Sequence, residues 1–215
     1  MIDYTKAYAA KESKGFDEGL RSYMLKIYNY MALALLVTGV LAYGTLSFPP
    51  LTALMYNIGP SGEFMGTSGF GMIITFAPLI IALVFFMGMA RMSVQTAQMV
   101  FWIYAAVMGM SLSSLGLMYT GQSLAKTFFV CASVFGAMSL YGYTTKKDLT
   151  SIGSFLFMGL IGLIIVSLVN IFLQSPALEF ATSFIGVAIF MGLTAWDVQK
   201  LKAMYYYAGG GEQGE

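Results

Sequence analysis

Residues Leu178–Asp197 read LEFATSFIGVAIFMGLTAWD, an apolar run that ends on a carboxylate. A helix needs about 20 mostly apolar residues to cross the hydrocarbon core of a bilayer, so this run predicts a transmembrane helix. Asp197 then lies near one end of that helix, where an uncompensated carboxylate costs about 2.5–3.5 kcal/mol on insertion scales. Membrane proteins retain such acids chiefly along ion paths, proton relays and gates. Asp197 is therefore the first candidate functional residue.

The composition places the whole chain in a membrane. Of its 215 residues 58% are hydrophobic and only 10% are charged, which is too apolar for an ordinary soluble domain. The net charge of +1 argues against a nucleic-acid partner, because phosphate binding needs clustered Lys and Arg. The chain has no His, which excludes imidazole metal ligands and a His-based catalytic triad.

Five more apolar runs of helical length precede the quoted one, and each is long enough to cross a bilayer. All connections except the first are short, which makes successive helices antiparallel neighbours. We therefore predict an all-α integral membrane protein, a bundle of six transmembrane helices without a soluble domain. The first connection, Phe48–Phe70, is rich in Pro and Gly and predicts a surface loop with a short turn around Leu51–Tyr56. The five runs are Ile27–Leu46, Gly71–Ala90, Ala97–Tyr119, Ala125–Tyr143 and Gly153–Gln174.

The basic residues predict the orientation. Ten of the eleven fall on one side of this six-helix path, and only Lys126 falls near the other. Because positive charge is retained on the cytoplasmic side, we expect both termini in the cytoplasm. The predicted organisation is a polar cytoplasmic segment at 1–26, a transmembrane bundle at 27–202 and a Gly-rich polar tail at 203–215. The ten are Lys6, Lys11, Lys14, Arg21, Lys26, Arg91, Lys146, Lys147, Lys200 and Lys202.

Two further residues join Asp197 as candidates. Arg91 directly follows the second apolar run, and we expect it at the cytoplasmic end of that helix, at a depth similar to that of Asp197. The two could form a latch between helices that protonation weakens, or a static ion pair at the interface. Asn170 lies inside the fifth run, where its amide needs a partner: an interhelical hydrogen bond is the default, and ion coordination is the alternative. Dehydration and the helix C-terminus both disfavour the ionised form of Asp197.

Small residues indicate where helices approach closely. In the third run Gly109, Ser113, Gly116 and Thr120 share one helix face, and Ala132, Gly136 and Ser139 do so in the fourth. Close helix packing is the main interpretation of both stripes, and a pore lining is the alternative.

Before the sixth run, Ser175 and Pro176 resemble an N-cap and a first helical residue. Glu179 then meets the positive end of the helix dipole, which assigns it to helix initiation.

Several stretches carry a family resemblance. They include SLYGYTTKKDL at Ser139–Leu149, VNIFL at Val169–Leu173 and GLTAWDVQKLK at Gly192–Lys202, with Gly109–Leu115 and Gly153–Gly162 beside them. Together they resemble the Bax inhibitor-1 family, particularly its bacterial members. The resemblance implies a small helical-bundle protein of the bacterial inner membrane, with a pH-sensitive calcium leak as its activity. It also implies that the acid matching Asp197 belongs to a pair of aspartates, which an arginine located like Arg91 can engage.

The chain departs from the family pattern in two places. Trp196 and Val198 stand where Tyr and Thr are more usual, which keeps an aromatic residue at the interface. Family members continue past the Gly-rich stretch with a seventh hydrophobic segment that supplies the second aspartate, whereas this sequence stops at Glu215. We expect a truncated version, with a natural short form as the alternative. On either expectation this sequence carries only one aspartate of the pair.

The leading hypothesis is a pH-sensitive cation (calcium) leak channel gated by protonation of Asp197, with Arg91 as counter-ion and Asn170 near the ion path. The metal contact would be a weak, transient one between calcium and Asp197, since one carboxylate makes a weak site. No resident cofactor and no catalytic residue are expected, and the lipid bilayer is the obligatory partner. The alternative is a non-conducting regulator that binds a membrane-bound AAA protease, with the polar segment 1–26 as the contact. An enzyme is not expected, because the sequence has no nucleophile elbow and no phosphate-binding glycine loop.

Overall fold

The structure is a computed structural model that describes residues 18–207, except the side chain of Ala90. Six of its helices are long and apolar enough to cross a membrane, as predicted. They are α1 (Glu18–Ser47), α3 (Gly69–Gly88), α4 (Val94–Leu112) with its continuation α5 (Leu115–Met118), α6 (Gly121–Thr144), α7 (Thr150–Leu173) and α8 (Pro176–Tyr207). A 3₁₀ turn, Met89–Arg91, connects α3 to α4. The protein is an all-α integral membrane protein.

The long first connection is more ordered than predicted. The expected turn around Leu51–Tyr56 is the short helix α2 (Pro49–Met55). An antiparallel hairpin follows it, formed by β1 (Tyr56–Ile58) and β2 (Phe64–Thr67). The sequence argument missed this hairpin because the segment lacks a clear alternation of apolar and polar residues.

Both ends of the helical path extend beyond the apolar runs. Helix α1 begins at Glu18 instead of Ile27, and α8 ends at Tyr207 instead of Asp197. Leu20 and Met24 in the first extension and Ala203 and Tyr205 in the second are buried, and the rings of Tyr23 and Tyr205 lie 5.3 Å apart. Packing between the polar ends of the two helices therefore carries them past the hydrophobic boundary. The remainder of the polar segment and of the Gly-rich tail, 1–17 and 208–215, lies outside the described residues.

The chain divides into two compact units. Among the described residues, unit 1 contains 18–26 and 128–207, and unit 2 contains 27–127. Unit 1 therefore holds most of α6, all of α7 and α8, and the first turns of α1.

In unit 2 the stripe of small residues packs against α1. A Cβ at Gly109 would collide with the backbone of Thr38, and one at Gly116 with the side chain of Leu46. The Thr38 hydroxyl also donates to the Ala105 carbonyl at 2.9 Å. Thr120, the fourth residue of the stripe, is exposed and accepts from the Ser123 N–H at 3.3 Å. The close-packing interpretation of the stripe is confirmed for Gly109, Ser113 and Gly116. At its centre the buried Ser113 marks the break between α4 and α5.

In unit 1 the stripe in α6 behaves differently. Ser139 is buried, but Ala132 and Gly136 are exposed, and no atom lies within 4 Å of a Cβ at Gly136. For these two residues the close-packing prediction is wrong. Helix α6 instead approaches α8 through Gly142, where a Cβ would collide with the carbonyl of Ala195. This close approach lies three residues beyond Ser139, the last residue of the predicted stripe, near the end of α6.

Candidate functional site

Asp197 lies inside α8, ten residues before its last residue Tyr207. It is the only acid in the described helices that lies beyond a first turn, because Glu18 and Glu179 each lie in the first turn of theirs. Its side chain is exposed on unit 1. Within unit 1 no described residue donates a hydrogen bond to its carboxylate. Lys200, one turn further along α8, is the charged group that acts on it there.

The residues around Asp197 fix α8 to its neighbours. Ala195 and Val198 are buried, and the Ala195 backbone meets Gly142 of α6. The indole ring of Trp196 lies against Gly153, in the first turn of α7, where any Cβ would collide with it. Successive residues of a helix point in different directions, so these contacts leave Asp197 on the open side. The carboxylate is thus exposed, but it lies on a helix segment whose neighbouring residues are packed against α6 and α7.

Gln199 ties α8 to the connection between α6 and α7. Its side chain is 7% exposed. The Leu149 N–H donates to Gln199 Oε1 at 2.9 Å, and Gln199 Nε2 donates to the Lys147 carbonyl at 2.8 Å. One amide therefore satisfies a donor and an acceptor in the same short connection. We call this pair of hydrogen bonds the Gln199 bridge.

Lysines next to the Gln199 bridge contact aromatic rings. The Lys200 ammonium lies 5.1 Å from the centroid of the Trp196 ring, and the Lys202 ammonium 5.4 Å from that of Tyr143. Lys202 also donates to the Tyr143 carbonyl at 3.1 Å, in the last turn of α6. Such contacts stabilise a cation over an aromatic face and satisfy a carbonyl that the helix end leaves free.

Asp148 caps the start of α7. The Thr150 N–H donates to Asp148 Oδ1 at 2.9 Å. Hydrogen bonds from the side chain and then the backbone of Thr150 hold the pKa of the Asp148 carboxyl below its ordinary value, against a smaller opposing effect of burial. The carboxylate is therefore engaged in helix initiation.

Asn170 and Arg91 lie in different surroundings. The Ser175 N–H donates to Asn170 Oδ1 at 3.1 Å, so the amide oxygen bonds to the connection after α7. Gln174 in that connection adopts a left-handed conformation with a φ of 48°. Arg91 is the exposed last residue of the 3₁₀ turn and belongs to unit 2. Its pairing with Asp197 and a role of Asn170 in an ion path stay predictions.

The start of α8 follows the sequence argument. Helix α8 begins at Pro176, and the Leu178 N–H donates to Ser175 Oγ at 3.4 Å. Glu179 lies in the first turn. The assignment of these residues to helix initiation is confirmed.

Metal-binding clusters are absent from residues 18–207: no three Cys, Asp or Glu side chains come together there. A calcium contact at Asp197 would thus use one carboxylate with backbone carbonyls or water as the other ligands.

Comparison with known proteins assigns the family. The family model described as inhibitor of apoptosis-promoting Bax1 matches residues 20–213. The chain belongs to the Bax inhibitor-1 family. No solved structure matches it.

Three relatives illustrate the range of this Bax inhibitor-1 family. The uncharacterized protein RP147 of Rickettsia prowazekii is 62% identical, over 100% of this chain and 87% of that protein. An uncharacterized protein of Caulobacter vibrioides is 46% identical, over 98% of this chain and 86% of its own length. The inner membrane protein YbhL of Escherichia coli is 42% identical, over 86% of this chain and 76% of YbhL. With its six membrane-spanning helices, the present family member is a multi-pass protein of the inner membrane.

Sequence reasoning on this family member missed Gln199, Gly142 and Gly153. Each had a weak signal: Gln199 is an uncharged polar residue beside the buried Val198, and the two glycines flank the end and the start of neighbouring helices. A role can be assigned to these residues only when the neighbouring helix or connection that each one contacts is known. A sequence does not specify which helix face a glycine presents to which neighbour.

Proposed function

We propose that this Bax inhibitor-1 family member is a pH-sensitive cation leak, permeable to calcium, in which protonation of Asp197 opens the gate. The observation that carries the proposal is the position of Asp197. It is the only acid beyond a first turn in the described helices, and contacts at Ala195, Trp196 and Gln199 couple its helix segment to α6 and α7.

The physical reason lies in the cost of a charge at a membrane-spanning position. An ionised carboxylate in a transmembrane helix needs water or a counter-charge, whereas the protonated form does not. Protonation of Asp197 therefore removes the need of this segment of α8 for water or a counter-charge beside it. A change at Asp197 is transmitted through the packed residues on either side of it, because packed helices move as units.

The choice of calcium follows from ligand chemistry and from the family. Carboxylate and carbonyl oxygens are the ligands that calcium prefers. A single carboxylate makes a weak site, and weak binding suits passage because the ion must leave again. Arg91 is the candidate counter-ion on the sequence argument alone.

The test is calcium flux into liposomes over a pH series. The wild-type protein should conduct more as the pH falls, because protonation releases Asp197 from its counter-ion. Asp197→Asn mimics the protonated side chain and should give a high flux that no longer depends on pH. Glu179→Gln is the matched control, since it neutralises an acid in the first turn of the same helix.

Two results would contradict the proposal. One is an Asp197→Asn variant with the flux and the pH dependence of the wild type. The other is a wild-type protein that carries no cation at any pH. The second result would favour the alternative, a non-conducting regulator of a membrane-bound AAA protease, which copurification through residues 1–26 would then test.

A further inference from the structure

One corner of unit 1 presents lysines on a fixed framework. The corner consists of Lys147, before the start of α7, and Trp196 and Lys200 on α8; we call it the lysine corner. The Gln199 bridge holds it together, because Gln199 Nε2 donates to the carbonyl of Lys147 itself and Lys200 is the next residue of α8. The buried Gln199 amide therefore holds the backbone positions of Lys147 and Lys200 next to each other.

Trp196 orders the second lysine. Its indole is seated on Gly153, and the Lys200 ammonium lies over the ring at 5.1 Å from the centroid. Trp196 lies at the end of the apolar run of α8, and a tryptophan at such a boundary is typical of the headgroup level, where its apolar body and polar N–H meet different surroundings. The Lys200 charge is thus held at the depth where lipid phosphates lie.

The nearby acid does not neutralise the corner. Asp148 follows Lys147 directly and stays ionised, because hydrogen bonds from Thr150 at the start of α7 hold its pKa below the ordinary value. Lys147 and Lys200 are exposed, and neither forms an ion pair with an acid in the described part of unit 1. Asp197 acts on Lys200 from one turn away and offsets part of its charge. Lys146 and Lys202 add two more positive charges, so four lysines face the two acids Asp148 and Asp197, and the corner keeps a net positive charge.

We propose that the lysine corner binds the phosphate of an anionic phospholipid headgroup. Two ammonium groups beside an interfacial tryptophan complement a headgroup phosphate in charge and in depth. The positive-inside rule places this end of the helices at the cytoplasmic leaflet, which carries the anionic lipids. The proposal does not depend on the leak activity, because it concerns a lipid that the corner holds and not an ion that the protein passes.

Trp196 provides the measurement. The chain has two tryptophans, so Trp102→Phe leaves Trp196 as the only indole. This variant is reconstituted into vesicles that contain phosphatidylglycerol and phosphatidylcholine at equal mole fractions. In one preparation phosphatidylglycerol carries bromine near the carboxyl end of its acyl chain, and in the other phosphatidylcholine carries it. Brominated phosphatidylglycerol should quench Trp196 more strongly than brominated phosphatidylcholine. In Lys147→Gln/Lys200→Gln this preference should fall several-fold, to near equality. Lys126→Gln, which removes a basic residue from the other side of the bundle, should retain it.

Control variants and a competition with inorganic phosphate distinguish the possible outcomes. Lys147→Arg/Lys200→Arg keeps the charges and should keep the preference. Excess inorganic phosphate should not abolish it; if phosphate does, the corner takes free phosphate and the lipid assignment fails. Equal quenching by both lipids in the wild-type corner, or an unchanged preference in the double Gln variant, would also overturn the proposal. If the double variant does not fold, the single variants serve, and each should lower the preference part of the way.

Discussion

Gln199 and Leu149 are joined by a buried hydrogen bond, in which the Leu149 N–H donates to Gln199 Oε1 at 2.9 Å. The other end of the same amide donates to the Lys147 carbonyl at 2.8 Å. The Gln199 side chain of α8 thus provides the hydrogen-bond partners for one N–H and one carbonyl of the α6–α7 connection, which would otherwise need water. Because Asp197 lies only two residues earlier, the bridge is also the polar contact closest to it along the chain.

Gln199→Ala should destabilise the protein. The substitution removes the partners of a buried N–H and of a carbonyl, and buried unsatisfied groups of this kind cost about 1–3 kcal/mol each. We expect a loss of about 2 kcal/mol in the free energy of unfolding, measured by denaturation in detergent. Amide hydrogen exchange at Leu149 should accelerate as well. Gln98→Ala, at an exposed position of α4, is the control, and equal effects of the two substitutions would contradict the bridge.

Gly142→Ala should be more harmful than Gly136→Ala, although the two glycines lie on the same helix. A Cβ at Gly142 would collide with the Ala195 carbonyl, and overpacking typically costs about 1–3 kcal/mol. A Cβ at Gly136 meets no atom within 4 Å, so Gly136→Ala should leave stability within about 1 kcal/mol of the wild type. Thermal unfolding of both variants in the same detergent compares them directly. A larger loss for Gly136→Ala would refute this packing of α6 on α8.

These two glycines also show what a sequence can predict here. The six crossings, the start of α8 at Pro176 and the stripe from Gly109 to Gly116 followed from hydropathy, capping residues and helical spacing. The stripe of Ala132, Gly136 and Ser139 had the same spacing, and yet only Ser139 is buried. Helical periodicity places residues on a common face, but the neighbour of that face depends on contacts between distant segments. Asp197 could be proposed as a candidate from its cost in a membrane alone, and its role stays a prediction. Gln199 could not be proposed, because its partners lie about 50 residues away in the sequence.

Tyr56→Phe should weaken the attachment of the hairpin in unit 2. The Tyr56 hydroxyl lies 2.7 Å from Ser113 Oγ, and the Tyr56 side chain is only 2% exposed. Loss of this buried hydrogen bond should cost about 0.5–1.5 kcal/mol of unfolding free energy. Tyr43→Phe is the matched control, because Tyr43 is 75% exposed. Chemical denaturation that ranks the two variants equally would contradict a role for the hydroxyl pair.

Asp148→Ala should lower stability in a pH-dependent way. The pKa of Asp148 is lower in the folded protein than in the unfolded chain, because Thr150 donates hydrogen bonds to the ionised carboxylate. The folded state therefore prefers the ionised form, and the stabilisation is complete above the ordinary carboxyl pKa of about 3.9. It is lost as the pH falls through the folded-state pKa. The unfolding midpoint of the wild type should exceed that of Asp148→Ala by a constant amount near neutral pH, and the difference should vanish in strong acid. A difference that grows as the pH falls would reverse the sign of this argument and exclude the cap as its source.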